Sequence, residues 1–198
     1  VEAWKELFPA FAVDTAQLVG DLSALLRQRI TSQLEDDGYA ADLVQAVAGD
    51  TVSTTRLLWD PLDVRVRIQM LRGLRDQGRL TAVQAVVQRA SRLAEKGDLP
   101  SGVLSSSDVV DPALFESASE QGLFDATQRL NPLAASGAYQ QLCDVLVEST
   151  PALEAFFDGD QSVMVMADDP ALRTNRLNLL GVLRNQAAVF AQFELIQS

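Results

Sequence analysis

Apolar residues recur at spacings of three and four along nearly the whole chain, and no useful length of it alternates apolar with polar. That periodicity builds amphipathic helices and leaves no strands to pair, so the expected class is all-α. Capping side chains, prolines and glycines cut the pattern into segments. Residues 1–10 read as a helix end with a break at Pro9. Asp14 then stands where an N-cap belongs, ahead of Leu18, Leu22, Leu25, Leu26, Ile30 and Leu34, and Gly38 stops that helix after Asp36. A short helix over Tyr39–Ala48 places Leu43, Val44 and Val47 on one face, and Ser53 caps a turn over Thr54–Trp59.

Asp60-Pro61 begins another helix, with Pro at a position where its missing N–H costs nothing. Val64, Ile68 and Leu71 form its apolar stripe, while Arg65, Arg72 and Arg79 recur every seventh residue, about 10 Å apart along one side. After Gly78, Thr81–Lys96 reads as a helix with Val83, Val86, Val87, Ala90, Leu93 and Ala94 inward. Arg89, Arg92 and Lys96, spaced three and four apart, form a basic ridge on it. Residues 101–110 are the best linker candidate. Helix restarts at Asp111-Pro112, and Ala138–Glu148 and Pro151–Phe157 read as two further short helices.

The last helix has the strongest start signal. Asp169 is a preferred N-cap, Pro170 takes the first helical position, and Asp169 with Arg173 makes an acid-to-base i,i+4 pair. Leu172, Leu179, Leu183, Ala187 and Phe190 form its inward stripe, and Arg176 falls in the same stripe. An arginine facing a core needs a partner, and Asp158 and Asp168 are the nearby candidates for a structural ion pair. A nucleic-acid contact is the other reading of Arg176.

The chain contains no histidine, which removes Ser-His-Asp chemistry, His-ligated metals and the commonest general base near neutral pH. The single cysteine, Cys143, sits at helical spacing with Tyr139 and Leu146 and reads as a buried structural thiol. No phosphate-binding glycine motif is present, so the chain is a poor candidate for a complete enzyme active site. No window approaches 18 consecutive apolar residues and no basic-then-apolar leader is seen, so a soluble, non-secreted protein is expected. A first residue of Val rather than Met suits a piece of a longer polypeptide.

The formal charge of −11 argues against general nucleic-acid binding. Its distribution is uneven. Eight of the sixteen basic residues (Arg65, Arg67, Arg72, Arg75, Arg79, Arg89, Arg92 and Lys96) lie between residues 65 and 96, opposed only by Asp76 and Glu95. From Pro100 to Pro170 twelve acidic residues face one basic residue, Arg129. Either the basic segment is a set of solvated helix faces, or it binds a polyanion locally.

The blocks Phe156-Phe157-Asp158, Val163-Met164-Val165-Met166-Ala167-Asp168-Asp169 and Ala171-Leu172-Arg173-Thr174-Asn175-Arg176-Leu177 with Leu179-Leu180 resemble the C-terminal signature of bacterial glycyl-tRNA synthetase beta subunits. Asp169-Pro170-Ala171-Leu172-Arg173 is similar to the Asp-Ala-Leu-Arg tetrapeptide that names the DALR class of helical anticodon-binding domains. Upstream, Leu25-Leu26 with Arg29, Gly38-Tyr39, Asp42-Leu43-Val44-Gln45-Ala46-Val47 and Asp111-Pro112-Ala113-Leu114-Phe115-Glu116 match in order. Nearly the whole chain is covered. Two departures stand out: Gly159-Asp160-Gln161-Ser162 is inserted between blocks the family joins closely, and Ser91-Arg92 replaces a different local pattern after Arg89.

The resemblance implies a helical extension over residues 1–60 and a DALR-like helical domain over 61–198. It implies that ATP and glycine are used by a separate alpha subunit, so that this segment binds no cofactor. The implied partners are glycine tRNA and the alpha subunit, in a heterotetramer of two alpha and two beta subunits. DNA and membrane are not among them, and the implied location is the cytoplasm. The expected RNA-facing cations are Arg89, the one carried over from the family pattern, Arg92 and Lys96, on the geometry of the ridge instead, and Arg72, Arg75 and Arg65 on the other basic helix. A helical protein-interaction scaffold and the anticodon domain of an arginyl-type synthetase are the alternatives.

Overall fold

The computed structural model describes Glu6 and residues 14–197, so the break expected at Pro9 lies outside the described residues. Nine α-helices and no strand are found among them. In order these are α1 (Thr15–Asp36), α2 (Ala41–Ala48), α3 (Thr54–Trp59), α4 (Pro61–Asp76), α5 (Leu80–Ala94), α6 (Ser106–Val109), α7 (Ala118–Ser136), α8 (Tyr139–Phe157) and α9 (Pro170–Ala188). Single 3-10 turns stand at Pro112–Leu114 and Phe193–Leu195.

The helix starts follow the capping chemistry. Asp14 accepts from the Ala16 amide at 2.9 Å, and Asp60 accepts from the amides of Leu62 and Asp63. Asp169 accepts from the Ala171 amide at 2.7 Å, with Pro170 at the first position of α9. The expected Asp169–Arg173 pair is replaced: the Arg173 guanidinium donates to the Ala167 carbonyl at 2.9 Å. Gly38 (φ 84°) and Gly78 (φ 69°) take the left-handed conformation just past the ends of α1 and α4, which a side chain would resist.

Two expectations about helix boundaries change. Asp111-Pro112 opens only a 3-10 turn, and α7 starts instead at a capping box in which Ser117 and Glu120 bond each other's backbone amides. The two short helices around Pro151 are one, α8, with Pro151 inside it. The proline removes a single hydrogen bond, while packing along α7, the most extensive helix pair, holds both halves in line.

Residues 101–110, expected as a linker, are fastened down. Side chains of α9 take up carbonyls there and at the preceding Pro100: Asn178 Nδ2 donates to Val109 at 2.9 Å and Asn185 Nδ2 to Pro100 at 2.8 Å. Asn175 and the backbone of Asp111 bond each other in both directions, at 2.7 and 3.0 Å. A strap over α9 therefore explains why that helix buries asparagines and Gln186 among its leucines.

One hydrophobic core runs from Leu34 on α1 to Ile196, and residue 60 does not divide it. Across that position Arg56 donates to the Val189 carbonyl at 2.7 Å, and the Gln192 amide donates to the Ala46 carbonyl at 2.9 Å. The α1 stripe differs from expectation. Leu34 is buried, but Val19, Leu22, Leu25 and Leu26 are about half exposed (53%, 48%, 52% and 48%). Instead α1 is anchored through Arg27. Its guanidinium donates to the carbonyls of Ala48 (2.9 Å), Gly49 and Val52 (2.7 Å) and to the Thr54 hydroxyl (2.7 Å). No described helix is long and apolar enough to cross a membrane.

Candidate nucleic-acid interface

The α5 helix buries Val83, Val86, Val87, Ala90 and Ala94, chiefly against α9 and α8. Arg89 and Arg92, with Lys96 just past the helix end, are left on its exposed side. Among the described residues Arg92 and Lys96 meet no carboxylate within ion-pair distance.

Arg89 is fixed from three directions. Its Nη1 donates to both Asp158 carboxylate oxygens at 2.9 and 2.7 Å, and its Nη2 donates to the Phe157 carbonyl at 3.3 Å. The guanidinium carbon also lies 4.6 Å from the centroid of the Phe157 ring, within cation–π range.

Arg65, Arg72 and Arg75 belong elsewhere. Arg65 pairs with Asp37, and Arg72 lies 5.6 Å from the Tyr39 ring centroid and 3.9 Å from Asp76. Arg75 donates to the two Asp42 oxygens and, at 3.2 Å, to the Gln197 carbonyl. The bond from Arg75 holds the Asp42 carboxyl below its ordinary pKa, and burial opposes this without cancelling it. All three arginines turn toward the α1–α2 junction, so the six named cations form two groups with different neighbours. Arg67 is structural. It is 1% exposed and bonds Asp63 together with the Phe190 and Val47 carbonyls, and burial lowers its pKa.

Arg176 does point inward, but its partners are neither Asp158 nor Asp168. Its Nε donates to Glu120 at 2.8 Å and its Nη2 to Glu116 at 2.7 Å. Asp158 is engaged by Arg89, whereas the capping box turns Glu120 into the core at 1% exposure, where it requires a cation. Burial opposes the charge on Arg176, and the bonds it donates to Glu120 and Glu116 outweigh it, leaving the pKa above the ordinary value.

The Cys143 thiol is buried and pushed up to about 12 by desolvation, which suits a packing residue rather than a nucleophile. No cluster of three metal-ligating side chains occurs among the described residues.

No family model matches the chain. Proteins named glycine–tRNA ligase beta subunit do. That of Picosynechococcus is 44% identical over 88% of this chain and 25% of its own length, and that of Acaryochloris marina 43% identical over 98% and 28%. The one from Actinobacillus pleuropneumoniae is 30% identical over 92% and 25%. This chain is a homologue of part of the glycine–tRNA ligase beta subunit. It spans about a quarter of the length of the curated relatives it matches.

Against that relationship, sequence reasoning missed two anchoring contacts. Glu120 carried a signal, standing three residues after Ser117 in a capping-box spacing. Arg27 carried almost none. It lies two turns before Leu34 on the face that packs, and nothing local marks its four acceptors at the end of α2, in the following loop and at the start of α3.

Proposed function

We propose that this chain is the tRNA-contacting, non-catalytic part of a glycine–tRNA ligase beta subunit, gripping RNA through Arg89, Arg92 and Lys96. The relatives' name supplies the ligase and its tRNA. The observation that carries the interface is the exposed ridge on α5, where among the described residues no carboxylate lies within ion-pair distance of Arg92 or Lys96. Arginines contact phosphates for affinity and unpaired anticodon-loop bases for discrimination, since single-stranded loops are where RNA sequence is readable. Arg65, Arg72 and Arg75 are secondary candidates behind their carboxylates. Attachment of glycine, with its ATP, belongs in this proposal to an alpha subunit, in a cytoplasmic heterotetramer of two alpha and two beta subunits.

The test is binding of glycine tRNA to this chain across a salt series, alongside an Arg89→Glu, Arg92→Glu double variant. Affinity should fall with salt, and each reversal should flatten the logarithmic salt slope by about one. Binding that is absent, or indifferent to both salt and charge reversal, overturns the proposal. The half-exposed leucines of α1 favour a second reading, a helical scaffold that docks protein. Absent RNA binding would leave that one standing.

A further inference from the structure

The contact between Arg89 and Asp158 places a carboxylate where an RNA phosphate would have to sit. We propose that Asp158 is an intramolecular stand-in for phosphate, a latch that tRNA must displace to engage Arg89. This rests on the tRNA-contacting reading of α5.

Three observations carry the inference. The first is that the Arg89 guanidinium has supports besides Asp158. The Phe157 ring lies 4.6 Å away and the Phe157 carbonyl accepts Nη2 at 3.3 Å, whereas Asp158 occupies Nη1 alone. Removing the carboxylate thus frees a donor on an arginine already held in place, as a preorganised phosphate site requires.

The second is exposure. The side chains of Arg89 and Asp158 are 48% and 71% accessible, so water screens the pair and its rupture costs little. A phosphodiester backbone that also reaches Arg92 and Lys96 brings several charges against the single charge of Asp158.

The third is the fixed backbone around the carboxylate. The Asp158 amide donates to the Glu154 carbonyl at 2.9 Å, and the Val163 amide closes the following loop onto the Phe156 carbonyl at 3.0 Å. The Gln161 carbonyl accepts from the hydroxyls of Ser117 (2.9 Å) and Ser119 (2.6 Å) on the far side of that loop. Release of Arg89 therefore needs rotation of one side chain and no rearrangement of the loop. The latch sets RNA affinity below what the ridge could reach and makes engagement of Arg89 depend on contacts at Arg92 and Lys96.

The experiment measures glycine-tRNA binding by fluorescence anisotropy at fixed salt for the wild type, Asp158→Asn, Arg89→Ala and the double variant, with circular dichroism to verify folding. Asp158→Asn should tighten binding by about two- to fivefold, the range expected for breaking an exposed ion pair. The gain should vanish in the Arg89→Ala background. Unchanged or weakened binding by Asp158→Asn overturns the latch, weakened binding making Asp158 a positioning residue for Arg89. Wild-type binding that ignores the Arg89→Glu, Arg92→Glu reversal overturns the tRNA reading of α5 itself, and the latch falls with it.

Discussion

Truncating Arg176 leaves Glu120 as a buried carboxylate with no cation, facing only the amides of Glu116 and Ser117. Arg176→Met should therefore destabilise the fold by about 3 kcal/mol, read by urea denaturation. Glu116→Gln, at a side chain 62% accessible, should cost less than about 1 kcal/mol in the same measurement. Comparable losses would mean that Glu116, not the buried carboxylate, dominates the pair. The inward direction of Arg176 was legible, because it shares the stripe of Leu172, Leu179 and Leu183. Its partner was not, because Glu120 lies 56 residues upstream and only tertiary packing brings it near.

The same limit shapes the elements. Local chemistry placed the helix starts well, since Asp14, Ser53, Asp60 and Asp169 act on amides two or three residues away. It misjudged the strap at 101–110, whose glycine and serines describe a loop but whose carbonyls are satisfied by a helix about seventy residues on. Asn175→Ala removes both bonds to Asp111 and should cost about 1–3 kcal/mol, with faster amide exchange at Asp111 as the local sign. An undisturbed Asp111 amide would show that the strap is held without it. Periodicity also showed that α1 is amphipathic but not that its packed face centres on Arg27 and Leu34. Leu34→Ala should thus cost about 2–5 kcal/mol, whereas Leu25→Gln at a half-exposed position should change stability by no more than about 0.5 kcal/mol. Equal effects in thermal denaturation would mean that Leu25 is covered in solution.

At the scale of the molecule, the family resemblance implied a helical extension up to residue 60 and a separate domain after it. The packing is continuous across it, and Asp42 illustrates the coupling. Its carboxylate on α2 accepts from Arg75 on α4 and from the Gln197 amide, which is donated at 2.8 Å, so one side chain ties three distant stretches of chain. Because these bonds stabilise the ionised form, the folded-state pKa of Asp42 lies below that of the unfolded chain, which is about 3.9. A carboxyl depressed in this way contributes stability that is fully present above the unfolded value and is lost as pH falls through the folded one. Asp42→Asn should accordingly be less stable than wild type at pH 7, and the gap should narrow below about pH 4 as the wild-type carboxylate is protonated. Urea midpoints from pH 7 down to pH 2.5 measure it. A gap that is constant with pH would show that the charge on Asp42 contributes nothing, leaving only its shape and neutral hydrogen bonding to join the N-terminal helices to the rest of the core.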